Sequence, residues 1–409
     1  MLRRLSLSLT LIIAGIIIAL AQPATESTRQ TTIEPNQHSS EKLRVSVITC
    51  YPGEEVYELY GHSAIRIMSE RFDSVWNYGM FDFREPNFVG RFVKGDLQYA
   101  VGGYPFAWFL PEYQATNRHV VEQELNLTDQ EATNLRKALQ INALPQNRKY
   151  PYDYVHNNCA TRIWDKVHDN LTSPVTYPQK SSYPTFRSAM RAYHSHYPWY
   201  SLGIDVALGY PIDTLINGDD ELFLPEKLMQ RLANTTRSDG MPLVRNTVVL
   251  NQGAEDATLP PTPWWQGPCF WAWILAVVAV IYAALSQRYR RCFRIFEAIY
   301  FFIIGLAGLV VAYLVLISSH AAASPNLLLA WLNPLAWIVP ICIWSAKTRM
   351  LAVAYLAANV IAIIFVSIVW PFQEQCGNAA FIPLLVADAA LAANYVALYI
   401  KSRTNYYRL

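Results

Sequence analysis

The chain has 409 residues, 53% of them hydrophobic and only 16% charged, with a formal net charge of +2. That is too apolar for a wholly soluble protein, where about a quarter of the residues carry charge. No basic cluster stands in the polar half, so nucleic acid is not an expected partner.

The chain opens with Arg3-Arg4, runs apolar from Leu5 to Leu20, and reaches small residues at Ala19-Leu20-Ala21. A basic start, a short apolar core and a small-residue exit read as an export signal over 1–21, with an uncleaved anchor helix as the alternative. Either way, the domain that follows lies outside the cytoplasm. Residues 22–42 are rich in Gln, Thr, Ser, Glu and Pro and read as a flexible leader.

Residues 43–233 form the expected extracytoplasmic domain. Residues 43–49 alternate apolar and polar and read as a strand; Cys50-Tyr-Pro-Gly53 turns the chain. Alternation resumes at Gly61-His62-Ser63, placing His62 at a strand start behind a glycine, where another backbone or a ligand can approach closely. Ser74–Gly79 reads as the next strand; paired antiparallel to its predecessor, it places Asn77 near His62. Thr128-Asp129-Gln130-Glu131 is a capping pattern that opens an amphipathic helix over 128–142. After Tyr154-Val155-His156-Asn157-Asn158-Cys159, the residues Ile163, Trp164 and Val167 repeat with helical spacing. Asn158 suits the cap of that helix and leaves Cys159 in its first turn, where the helix dipole and free N–H groups favour a thiolate and an oxyanion.

A cysteine at a helix start and a histidine recruited from far off in sequence are the parts of thiol catalysis. His156 is a rival base, placed instead in the substrate cleft. Of six cysteines, Cys50 and Cys159 alone belong to the exported domain. A disulfide between them is the alternative to a catalytic thiol in that oxidising compartment. No CxxC pair or Cys/His metal spacing is present, so neither a metal nor a cofactor is expected.

Residues 234–268, with Leu-Pro-Pro-Thr-Pro, read as a linker leading to Trp264-Trp265 at a membrane surface. The span 269–400 is a helical membrane domain of about five spans, near 269–286, 296–318, 331–345, 350–370 and 379–400. The third is short and interrupted by Pro334 and Pro340. Basic residues gather at 288–294, at Lys347 and Arg349, and in the tail 401–409, while loops 319–330 and 371–378 have none. Cytoplasmic basic loops put the exported domain on the outer face, in line with the signal. Asp388 inside the last span needs a polar neighbour. His320 and Asn326, in the apolar outer loop, are candidates to meet a lipid headgroup.

The order histidine then Asn-Cys resembles the circularly permuted NlpC-type, papain-like fold to which lecithin retinol acyltransferases belong, which makes the expected fold class α+β with an α-helical membrane domain appended. More closely, Tyr60-Gly61-His62-Ser63, Asn77-Tyr78-Gly79 with Phe81-Asp82-Phe83, Gly95-Asp96-Leu97, Asn157-Asn158-Cys159-Ala160-Thr161-Arg162 and Leu224-Pro225 together resemble the Lnb-type bacterial lipoprotein N-acyltransferases. That resemblance implies a multi-pass protein of the bacterial inner membrane with a periplasmic thiol-dependent domain. A phospholipid donates an acyl chain to Cys159, and the α-amino group of a diacylated lipoprotein accepts it. It implies Cys159 as nucleophile and His62 as base. Asn77, Asn158 and Tyr60 are candidates for orienting or oxyanion groups, and His156, Arg162, His320 and Asn326 for substrate binding. The competing readings are a tethered Cys-His peptidase or amidase acting on cell-wall peptides, a phospholipase, and a non-catalytic sensor or scaffold.

Overall fold

The computed structural model describes residues 42–81, 84 and 86–406. The expected signal (1–21), the leader through residue 41, the motif residues Asp82 and Phe83, and positions 407–409 lie outside the described residues. The chain packs as two units. One takes the described residues up to Lys180 together with Leu222–Ala257; the other takes Ser181–Glu221 together with the described residues from Thr258 onward.

The first unit is built on an antiparallel sheet. Its strands are β1 (Arg44–Cys50), β2 (His62–Met68), β3 (Asp73–Met80), β4 (Gln98–Pro105), β5 (Val120–Leu125), β6 (Lys149–Pro151) and, after a separate two-stranded ribbon of β7 (Val175–Thr176) and β8 (Thr236–Arg237), β9 (Val244–Asn251). The spatial order is β6-β4-β3-β2-β1-β5-β9. Alternation along β1 and β2 sends Val45, Val47, Ile65 and Ile67 to one face, where Leu135, Leu139, Ile163, Trp164 and Leu228 cover them. Ile48, Cys50, Ala64 and Val75 go to the other face, against Phe109 and Tyr113 of the helix Phe106–Ala115. Period-two patterning thus sets the register, since a one-residue slip would exchange the two cores.

Residues 234–251, read from the sequence as linker, carry β8 and β9 instead. The run Val244–Asn251 pairs with β5 at the sheet edge and its middle residues stay exposed, so it lacks the buried alternation that marks inner strands.

The helix Asp129–Asn142 begins where the sequence places it. Thr128 accepts from the Glu131 N–H and Glu131 accepts from the Thr128 N–H, a reciprocal capping box. Tertiary structure adds partners to that carboxylate: Arg237 at 3.1 Å and the Thr172 N–H at 2.8 Å. Burial pushes the Glu131 carboxyl up, but Arg237, Thr172 and Thr128 outweigh it and hold it at about 2, below its ordinary 4.5. A depressed folded value means stability that is complete above the unfolded value and drains away as pH falls toward 2. The advantage of the native chain over Glu131→Gln in denaturant unfolding is therefore expected to be on the order of 3 kcal/mol at neutral pH. It should narrow as the pH is lowered through that window.

Among the described residues, the second unit contains four helices long and apolar enough to cross a bilayer: Pro268–Tyr289, Arg294–Leu316, Arg349–Phe372 and Phe381–Ser402. The expected third span is not a fifth long helix. Leu327–Cys342 is a shorter apolar stretch, divided into turns at Leu327–Ala330 and Pro334–Trp337 and a brief helix at Ile338–Cys342. Pro334 and Pro340 lack the N–H that a continuous helix needs. The broken stretch is tied down by side chains. Trp331 Nε1 donates to Asp388 at 2.8 Å, and Asn359 Nδ2 donates to the other Asp388 oxygen at 2.7 Å. Asp388 thus has the polar neighbours its apolar setting demands. Gly308 is required where it stands, because a Cβ there would lie 2.3 Å from the Asn333 backbone.

Ser181–Glu221 joins this unit through a buried ionic network. Arg187 donates to both oxygens of Asp213 and to Asp205, and Asp205 also accepts from Asn378 at 2.8 Å. Gly209 N–H and Tyr210 N–H donate to Ala322 and Pro325 carbonyls, each at 2.9 Å. A sequence boundary at 233 therefore misses the excursion, because a hydrogen bond from Asn378 to Asp205, 173 residues apart, leaves no local pattern.

Candidate active site

Cys159 is the first residue of the helix Cys159–His168. Asn158 holds that start in place: its Oδ1 accepts from the Ala160 and Thr161 N–H groups at 2.9 and 3.1 Å. Its Nδ2 donates to the carbonyls of Tyr154 and Phe223 at 3.0 and 2.8 Å. Both ends of the amide are thus committed to backbone, and Asn158 acts as a cap with no donor left for an oxyanion. Asn158→Ala removes the cap and strands two carbonyls, at an expected cost of about 3 kcal/mol. Thermal unfolding of the variant checks this.

His62 opens β2, opposite Cys50 of β1. The glycine before it is obligatory: Gly61 has φ +75°, and a Cβ there would lie 2.3 Å from the Cys50 carbonyl oxygen. In the β2–β3 register Ala64 faces Asn77, so His62 and Asn77 are diagonal neighbours on one face. His62 Nε2 lies 2.8 Å from Asn77 Oδ1. An amide oxygen only accepts, so Nε2 carries the hydrogen. His62 also hydrogen-bonds the Cys159 thiol, and with Nε2 committed that contact falls to Nδ1. β3 passes beside the same thiol at its bulge: a Cβ on Gly79 would stand 4.0 Å from Cys159 Cβ.

The electrostatics of the pair are consistent from both sides. Burial pushes the Cys159 thiol up, but the charge and hydrogen bond of His62, with the Ser63 and Ala160 N–H groups, hold it below its ordinary range. Burial pushes His62 down, and Cys159 and Asn77 more than restore it, so the imidazole sits above its ordinary value. A thiolate facing an imidazolium at a helix N-terminus is the arrangement of a nucleophile with its acid–base partner.

Two family models match the chain: the Lnb N-terminal periplasmic domain over residues 30–192 and the Lnb transmembrane domain over residues 261–403. The chain belongs to the Lnb family. It has that family's periplasmic domain, here a mixed sheet-and-helix unit, followed by its helical membrane domain. No individually curated protein and no solved structure matches it.

Within the Lnb periplasmic domain the other sequence candidates take varied positions. Tyr60 packs edge-on against Tyr154 at 5.2 Å and near Phe223 at 6.5 Å, in contact with the loop that leads to Cys159. His156 is exposed, and its backbone N–H donates to Asp153 at 2.8 Å in the turn before the helix. Arg162 donates to Asn157 Oδ1 and lies 4.7 Å over the Tyr150 ring, which braces the same turn. His320 and Asn326 belong to the membrane unit. The Asn326 amide is spent there, accepting from Leu328 N–H and Gln375 and donating to the Val206 carbonyl.

Cys50 and Cys159 are both free thiols. Cys50 is fully buried among Ile48, Ala64 and Tyr113, and burial pushes its thiol far up, so it stays neutral. Two neighbours of the site carry no signal in the sequence. Tyr152 stacks on Tyr99 at 4.2 Å beside Gly79, and Tyr104 accepts from Asn77 Nδ2. Only the strand register and the β3 bulge bring them there.

Proposed function

We propose that the chain is an apolipoprotein N-acyltransferase of the bacterial inner membrane, with Cys159 as nucleophile and His62 as general acid and base. The observation that carries this reading is Cys159 at a helix N-terminus with His62 as its hydrogen-bond partner, the imidazole held by Asn77 at 2.8 Å, in a chain of the Lnb family. In the first half-reaction the Cys159 thiolate attacks an ester carbonyl of a phospholipid. The tetrahedral oxyanion collapses, the C–O bond breaks, and the His62 imidazolium gives its proton to the departing lysophospholipid oxygen. Cys159 is left as a thioester and His62 neutral.

In the second half-reaction the α-amino group of a diacylglyceryl-cysteine on a lipoprotein attacks the thioester carbonyl. His62 takes the amine proton, the C–S bond breaks, and an amide and the Cys159 thiolate are released. Asn77 keeps Nε2–H bonded through both steps, so Nδ1 is the atom that gains and loses the proton. The helix N-terminus favours negative charge at the sulfur and at the oxyanion alike. A membrane anchor suits this chemistry, because donor and acceptor both sit in lipid and shared anchoring raises their effective concentration.

The test is expression in a strain lacking its own lipoprotein N-acyltransferase, followed by mass spectrometry of lipoprotein N-termini. Conversion of free α-amino groups to acyl amides is expected. N-termini that stay diacylated, or lysophospholipid and fatty acid released without amide, would overturn the reading in favour of inactivity or of a phospholipase.

A further inference from the structure

We propose that Tyr104 is a positioning residue for His62, acting through Asn77. The inference rests on the reading of His62 as the base of Cys159. Three neighbouring strands carry the row: His62 on β2, Asn77 on β3 and Tyr104 on β4. The β3–β4 register pairs Asn77 with Gly102 and Val75 with Tyr104, so Tyr104 is the diagonal neighbour of Asn77 on the face that also holds His62. Asn77 is 7% exposed.

A carboxamide has two ends of nearly equal shape and opposite hydrogen-bonding sense. Only one orientation puts Oδ1 on Nε2–H. The reverse orientation sets the Nδ2 donors against Nε2, which forces the imidazole hydrogen onto Nδ1 and turns the lone pair away from the sulfur. In the observed orientation Nδ2 faces the Tyr104 hydroxyl and donates to it. The chain of donors then runs one way, from His62 Nε2–H to Asn77 and from Asn77 to Tyr104, and each bond polarises the next. Burial first, with Glu112 and Cys50, pushes the Tyr104 phenol up, so it remains a neutral hydroxyl over the working range. With phenylalanine at 104 a buried amide N–H has no acceptor, and the amide is released to turn.

The titratable and charged groups bearing on this row are Cys159 and Arg118 at His62, and Glu112, Cys50 and Tyr113 at Tyr104. All of them stay in place in Tyr104→Phe, so a change in the pH profile reports the lost hydroxyl.

The experiment uses the full chain in detergent. Iodoacetamide alkylation of the Cys159 peptide is followed by mass spectrometry as a function of pH, with acyl-transfer kinetics alongside. In Tyr104→Phe the alkylation limb is expected to move up by about one pH unit, a roughly tenfold loss of thiolate at any pH below the limb. kcat should fall and KM should hold. A profile superimposable on that of the native chain overturns the inference and leaves the proposed function standing. A native profile no lower than that of His62→Ala would remove the Cys159–His62 reading first. If Tyr104→Phe does not fold, 4-aminophenylalanine at position 104 keeps the ring and a polar tip but is a poorer acceptor. It should shift the limb in the same direction, and an unmoved limb there counts equally against the proposal.

Discussion

Replacing Cys159 by alanine is expected to abolish acyl transfer, a loss of at least ~10³-fold and as much as ~10⁶-fold, as when the nucleophile of a covalent mechanism is removed. The fold should survive. The cap runs from Asn158 to the N–H groups of Ala160 and Thr161 and uses no atom of the Cys159 side chain. Alanine is also the best helix former for the position it would take. Lipoprotein N-termini from cells carrying Cys159→Ala should match those of cells without the protein, while the variant accumulates in the membrane at normal levels. Cys159→Ser should be nearly as inactive, since a hydroxyl is too weak an acid for an imidazole partner to ionise. Cys50→Ala supplies the contrast: Cys50 is fully buried with its thiol pushed up, and its loss should leave transfer intact. Retained transfer in Cys159→Ala, or loss of transfer in Cys50→Ala with the fold intact, would remove the thioester route.

The second large effect belongs to His62. Burial opposes the thiolate at Cys159, and His62 is the first of the groups that overcome it; the Ser63 and Ala160 N–H groups follow. With His62→Ala the burial remains and most of the compensation goes, so the thiol should rise above its ordinary range. Alkylation of Cys159 at neutral pH should slow by about 10²-fold, because only the thiolate reacts. The sign for activity follows. In the native chain the rate should climb as pH rises through the depressed Cys159 value, hold a plateau, and fall as pH rises through the elevated His62 value, where the proton for the leaving oxygen is lost. In His62→Gln that falling limb should vanish along with most of kcat. A bell unchanged in His62→Gln would assign the acid–base role to another group. The exposed His156 is the first to test, by His156→Ala.

Much of the site was legible because its parts are local or periodic. Asn158 before Ile163, Trp164 and Val167 announces a capped helix with Cys159 at its start. The glycine at 61 followed by alternating residues announces a strand opening at His62, and a second alternating run offers Asn77 as a neighbour. Other roles depend on what comes to rest against each group. The sequence offers Asn158 as a helix cap and as an oxyanion candidate; the cap stands, but the carbonyls of Tyr154 and of Phe223, 65 residues on, take its amide donors. Asn326 was read as a headgroup contact, and Val206 and Gln375 absorb its amide. The sequence marks the third apolar segment as short and interrupted by Pro334 and Pro340, and the fold breaks it into turns and a brief helix held by Trp331 on Asp388.

What the amino-acid order determined by itself, then, is the set of elements and their chemistry-bearing ends. It marks an exported sheet-and-helix domain with His62 and Cys159 at element starts, followed by apolar segments whose alternate loops are basic. Those features follow from short-range periodicity, capping and hydropathy, which act over a turn or a strand. What only the tertiary structure decided is which ends meet. His62 against Cys159, Asn77 between His62 and Tyr104, Arg237 on Glu131, and Asn378 on Asp205 within residues 181–221 are all products of sheet register and buried polar pairing. Such contacts link residues tens of positions apart, and each side chain carries the same local signature whether or not its partner arrives.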